Sequence, residues 1–120
     1  MNEILVGVDF SESSNNALAH AAGLAARFKS NMLWVWVENK TSIRHLNLKN
    51  GEDVHEEVNR RFAEEIAKYA SSIAPAEIET QIRKGVIYKE MIAVSVENQV
   101  DLIVVGAHGT EGFRRFLMGD

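Results

Sequence analysis

The sequence predicts an α/β fold, a doubly wound open parallel sheet, and three observations carry that expectation. Strand-like and helix-like stretches alternate along the chain in the order βαβαβαβα. The strand candidates are mostly short, continuous runs of apolar residues, the kind buried on both faces of a parallel sheet. The last of them, Asp101-Leu102-Ile103-Val104-Val105, opens onto Gly106 and Gly109, where backbone can approach a ligand closely. Helices between strands imply parallel pairing through right-handed crossovers, with helices on both faces.

The first strand is Ile4-Leu5-Val6-Gly7-Val8, ending in Asp9-Phe10-Ser11-Glu12-Ser13-Ser14, a segment rich in helix-start residues. Over residues 14–29, Ala17, Leu18, Ala21, Ala25 and Phe28 recur at helical spacing. Met32-Leu33-Trp34-Val35-Trp36-Val37 is the second strand. Residues 38–51 show no clear period and read as a long connecting loop, a feature that is often functional or mobile. A helix over 52–73 carries Val54, Val58, Phe62, Ile66, Tyr69 and Ile73 on one face. Pro75 sits where that helix has already stopped. Residues 77–84 alternate, with Ile78 and Ile82 on one side, as a partly exposed edge strand would. Gly85 marks the turn into a helix over 88–98, with Met91, Ile92, Ala93 and Val94 available for packing. The fourth strand and a short amphipathic helix beyond Gly109 finish the chain.

Strands one and four have the strongest buried character, which places them adjacent and central, with strand three at an edge. Connections leave strand one in one direction and reach strand four from the other. Ligands in open α/β sheets bind at such a switch point, outside the strand C-termini. Asp9 ends strand one and Gly106 ends strand four, so the two are expected to meet.

At 120 residues the simplest reading is one domain over 1–120. An apolar fraction of 46% and a charged fraction of 25% match an ordinary soluble globular protein. The formal charge of −4 argues against general nucleic-acid binding, which needs a basic face. Without cysteine there is no disulfide framework and no zinc–thiolate site. Met1-Asn2-Glu3-Ile4 lacks the basic-then-apolar pattern of a signal peptide. No apolar run approaches the ~20 residues that span a bilayer. A cytoplasmic protein with no membrane partner is expected.

Each candidate residue has a structural reading beside its functional one. Gly106, Gly109 and Gly119 serve either as turn and cap punctuation or as a cradle whose amides bind phosphate. Asp9 serves as a helix cap or accepts hydrogen bonds from a ribose hydroxyl or an adenine amino group. His108 is a solvated loop histidine or a phosphate ligand; with no partner visible it is not assigned as catalytic. Arg114 and Arg115 bind phosphate or form a solvated face. Packing beneath a helix explains Trp34 and Trp36. His20, His45 and His55 have no metal-site spacing, and Glu56, Glu57, Glu64 and Glu65 look like a wet helix side. Several systems are excluded: there is no G-x-x-x-x-G-K-[ST] element, no G-x-G-x-x-G after the first strand and no G-x-S-x-G elbow. A receiver domain needs an acceptor Asp after its third strand, where this chain has Arg83-Lys84-Gly85.

On these residues the chain resembles the universal stress protein family over nearly its whole length. The resemblance rests on Ile4 to Ser11 with Ser14 and Ala17-Leu18, on the strand ending at Val37, and on Gly85. Its most specific part is Asp101 to Gly109, in which Gly106, Gly109 and Gly119 reproduce the family's G-x2-G-x9-G spacing. The resemblance implies a Rossmann-like sheet of the adenine nucleotide alpha hydrolase type. It implies an adenine-nucleotide site in a sensing or regulatory module of the stress response, for ATP or AMP, with magnesium accompanying the nucleotide. Asp9 and Val37 would contact the adenosine part, Val37 through its backbone. Gly106 would lie against the ribose, with Gly109 and Gly119 toward the phosphates; His108, between Gly106 and Gly109 in sequence, completes the candidate ligand-binding set on its own reading. Members often dimerise or occur as tandem domains.

Two departures qualify this. Asp120 stands where ATP-binding members carry a hydroxyl, and a carboxylate there would repel polyphosphate by roughly 1 kcal/mol at ~4 Å in a wet site. The family's fifth strand is also missing, as in a fragment or one half of a tandem protein. A ligand-free scaffold acting through dimerisation or a partner is the alternative. Slow ATP hydrolysis near His108 ranks last, since no general base with an orienting partner is visible.

Overall fold

The structure is a computed structural model described for residues 1–106. Its elements are β1 (Glu3–Gly7), α1 (Glu12–Phe28), β2 (Asn31–Glu38), α2 (Lys40–His45), α3 (Val54–Ile73), β3 (Ile78–Lys84), α4 (Ile87–Glu97) and β4 (Leu102–Val104). The four strands form one sheet in the order β3-β2-β1-β4, and every pairing is parallel. The short helix expected beyond Gly109 lies outside the described residues.

The strand register explains why the strands read as unbroken apolar runs. Alternate side chains serve opposite faces. Ile4, Val6, Val8, Met32, Trp34 and Trp36 share a buried cluster with Leu18, Ala21 and Ala25 of α1 and Val58, Phe62 and Ile73 of α3. Leu5, Leu33, Val35 and Val37 join Met91 and Val94 of α4 on the other face. All six residues expected on the apolar stripe of α3 reach the first cluster. Phe28 does not follow its helix inward: it is exposed at the end of α1, with the Arg27 guanidinium 5.6 Å from its ring.

β3 stands at an edge and β1 lies beside β4, as the burial pattern implies. The expectation that strand four is central is corrected. Among the described residues β4 is the other edge, three residues long and only half-buried, so the central pair is β1 and β2. Asp101 anchors β4 at its start, where the carboxylate accepts from the Asn2 and Glu3 amides at 2.7 and 3.0 Å. Those amides hold the Asp101 carboxyl below the usual carboxylate range. The tie is therefore present at neutral pH and lost as pH falls through the lowered value.

The long connection after β2 is a second correction. It contains α2, started by a reciprocal capping box: Ser42 N–H donates to Asn39 Oδ1 and the Asn39 amide donates to Ser42 Oγ, both at 2.9 Å. Six residues are too few to display a helical period, so the cap pair is its only local signal. Gly85, at φ 138°, makes the turn after β3 and accepts from Asn39 Nδ2 at 3.2 Å.

The two tryptophans sit side by side with different polar fates. Trp34 Nε1 donates to Met32 Sδ at 3.5 Å, and its ring packs on Phe62 and Tyr69 with centroids 6.3 Å away in each case. Trp36 Nε1 is buried with no partner among the described residues. Trp36→Phe discards an unpaired donor, whereas Trp34→Phe discards a paired one and ring contacts. Urea unfolding should show Trp34→Phe losing about 1–2 kcal/mol more than Trp36→Phe. Equal losses would contradict the assignment of the unpaired group.

Candidate functional site

A cleft of about 450 Å³, including its open mouth, lies at the C-terminal ends of β1, β2 and β4. Asp9, Val37 and Gly106 all line it. The connections explain its position: α1 leaves β1 over one face of the sheet, while α4 reaches β4 over the other. The crevice is therefore polar on the α1 side, with Asp9, Ser11, Ser13 and Ser14, and mostly apolar elsewhere, with Val35, Val37, Ile87, Met91 and Val105. Asp9 is the one ionisable side chain in this lining among the described residues.

The turn carrying Asp9 is tightly laced. Asp9 Oδ1 accepts from the Ser11 amide at 2.9 Å, and the Asp9 amide donates to Ser14 Oγ at 2.9 Å. The cap of α1 is Ser11, whose Oγ accepts from the Ser14 amide at 3.1 Å. Asp9 is thus not the helix cap, and its Oδ2 has no partner among the described residues. Such a carboxylate oxygen is an acceptor suited to hydroxyl or amino donors.

Val37 lies past the β1–β2 ladder, which ends at Gly7 and Val35. Its carbonyl accepts from Ser42 Oγ at 2.6 Å, leaving one lone pair on that oxygen. Ser42, only 4% exposed, also lines the cleft and joins α2 to the end of β2. Reading the sequence as a loop missed it, although Asn39 and Ser42 stand at capping-box spacing. Ser13 and Met91 were legible only as helix-start and helix residues, and Ile87 fell just before the helix expected over 88–98, because nothing local says that two helix starts face one crevice.

At Gly106 a side chain is excluded by the protein itself. A Cβ there would lie 2.6 Å from Ser13 Oγ and 2.9 Å from both Ser13 C and Ser14 N. Of the remaining sequence candidates, His108, Gly109 and Gly119 lie outside the described residues, as do Arg114, Arg115 and Asp120. Among the described residues no group of three His, Asp or Glu side chains is placed to hold a metal ion. No helix among them is long and apolar enough to cross a membrane.

The packing at Gly106 has a ligand-independent consequence. Gly106→Ala should destabilise the unliganded protein by about 1–3 kcal/mol, because backbone of α1 must give way. Gly23→Ala, at an exposed helical position with nothing within 4 Å of the new carbon, should stabilise it by up to about 1 kcal/mol. Chemical unfolding of the two variants checks both signs.

The fold has many solved counterparts. A protein of the universal stress protein family from Burkholderia pseudomallei matches with a TM-score of 0.72 at 22% identity, covering 98% of this chain and 89% of that one. The universal stress protein UspA from Lactobacillus plantarum gives 0.66 at 23%, covering 92% and 79%. A universal stress protein in complex with cAMP gives 0.65 at 21%, covering 99% and 85%. No curated protein matches the sequence. The model of the universal stress protein family matches residues 1–120, and the chain belongs to that family.

Proposed function

We propose that the cleft binds an adenine nucleotide and that the domain acts as a sensing or regulatory module in a cytoplasmic stress response. The observation that carries this reading is the convergence of Asp9, Val37 and Gly106 on one crevice with a polar and an apolar wall. An adenosine has the matching halves: a flat ring for Val35, Val37, Ile87 and Met91, and hydroxyl and amino donors for Asp9. The cAMP held by a structural relative supports the ligand class. Gly109, Gly119 and His108 are assigned to the phosphate end of ATP or AMP by the glycine spacing, with magnesium following the nucleotide.

Calorimetry with ATP, ADP and AMP, with and without magnesium, should show saturable heat for at least one of them. The absence of heat at millimolar ligand would overturn the reading. Asp9→Asn retains an oxygen for the Ser11 amide but loses the charge. It should weaken binding about tenfold, the scale of a hydrogen bond to a charged acceptor.

A second reading is an interaction scaffold, a homodimer or a tandem-domain arrangement, and β4 favours it. Leu102, Ile103 and Val104 are half-buried on a strand with no outer neighbour among the described residues, whereas the β3 edge carries Glu79, Gln81, Arg83 and Lys84. An apolar edge invites pairing. Light scattering on the purified protein should report a dimer; a monomer at all concentrations would remove this reading without touching the first.

A further inference from the structure

The polar wall of the cleft and its rim beside Val37 are tied to one side chain that does not line it. Arg61 projects from the second turn of α3, with a side chain 26% exposed. Its Nε donates to Glu57 Oε2 at 2.7 Å and its Nη2 donates to the carbonyl of Leu46, the C-cap of α2, at 2.7 Å. The same guanidinium lies 5.7 Å from the centroid of the Phe10 ring, which also meets Phe62 edge-on at 5.4 Å. Phe10 stands between Asp9 and Ser11, and its backbone is at φ 65°, a conformation a bulky residue rarely holds unaided. Leu46 closes the helix that carries Ser42 against Val37. One planar cation therefore restrains the polar wall through Phe10 and the rim beside Val37 through α2.

We propose that Arg61 is a positioning residue for the cleft, setting the separation between the Asp9 turn and α2. The proposal rests on the adenine-nucleotide reading of that cleft for its effect on affinity, and on geometry alone for its effect on structure. Arginine suits the task because its fork gives two hydrogen bonds in fixed directions while its face remains free to stack. The arrangement holds through the ordinary pH range. Hydrogen bonds from Arg60 and then Arg61 lower the Glu57 carboxyl to about 2, so its charge persists above that value.

The test compares wild type with Arg61→Met, Arg61→Lys and, as a control on the same helix, Lys68→Met, whose ammonium pairs with Glu65 at 3.1 Å. In amide NMR spectra of the unliganded proteins, Arg61→Met should move the signals of Asp9, Ser11 and Ser42. Lys68→Met should leave them in place. In ATP, ADP and AMP titrations, for each ligand that binds wild type, Arg61→Met should weaken binding about three- to tenfold, the worth of one lost hydrogen bond. Arg61→Lys, which keeps the charge and one donor, should fall between. It replaces the Met variant in both experiments if that variant does not fold. Spectral changes confined to α3 would overturn the proposal, as would wild-type affinity in Arg61→Met. If wild type itself gives no heat with ATP, ADP or AMP, the nucleotide reading fails, and the NMR comparison still decides the positioning role.

Discussion

The cleft depends on the turn between β1 and α1, where the chain must pass from strand to helix within a few residues. Phe10 makes that turn at φ 65°, which costs on the order of 1–3 kcal/mol for a bulky side chain. Three hydrogen bonds among Asp9, Ser11 and Ser14 lace the backbone around it, and Phe62 and Arg61 hold the ring. The division of labour within this turn matters for chemistry. Ser11 caps the helix, and the Asp9 carboxylate, which lines the crevice, spends one oxygen on the Ser11 amide and has no partner for the other among the described residues.

The amphipathic character of the crevice follows from topology. β1 and β4 are neighbours whose helices pass over opposite faces, so two different helix starts border one opening. α1 begins with serines because its first amides need caps. α4 begins at Val86 with no side-chain cap and turns Ile87 and Met91 inward, where they meet the odd-numbered face of β2. Polar and apolar walls thus arise from how each helix solves its own N-terminus. With no lysine or arginine in the described lining, what the crevice offers is hydrogen bonding and apolar contact, a surface better matched to neutral polar groups than to an anion.

Much of this was legible because the periodicities are long and unambiguous. The stripe from Val54 to Ile73 repeats over five turns, and the runs in β1 and β2 admit no helical reading of comparable length. Edge and centre were harder. Leu102 to Val105 has the composition of a central strand, yet composition reports what a residue can bury against and not whether a neighbour is there. α2 was hidden for a different reason: a six-residue helix is specified by its cap pair, Asn39 and Ser42, and by Arg61 reaching Leu46 from fifteen positions away. Phe28 shows the opposite error, since helical spacing alone cannot tell that a helix has already reached the protein's edge.

Gly106 shows how one residue choice can answer more than one demand. A glycine that must admit a ligand and a glycine that must admit a neighbouring helix make the same demand on the sequence, the absence of a side chain. Here the demand is already met inside the protein, because Ser13 and the Ser14 amide occupy the space a Cβ would need. The first glycine of the G-x2-G-x9-G spacing therefore marks the docking of the β4 end against α1. That docking also brings Ser13 to the lining beside Asp9, so the packing constraint helps to build the polar wall. In this chain the crevice and the packing of the core meet at one position, because the crevice is bounded by the same helix start that the glycine allows to come close.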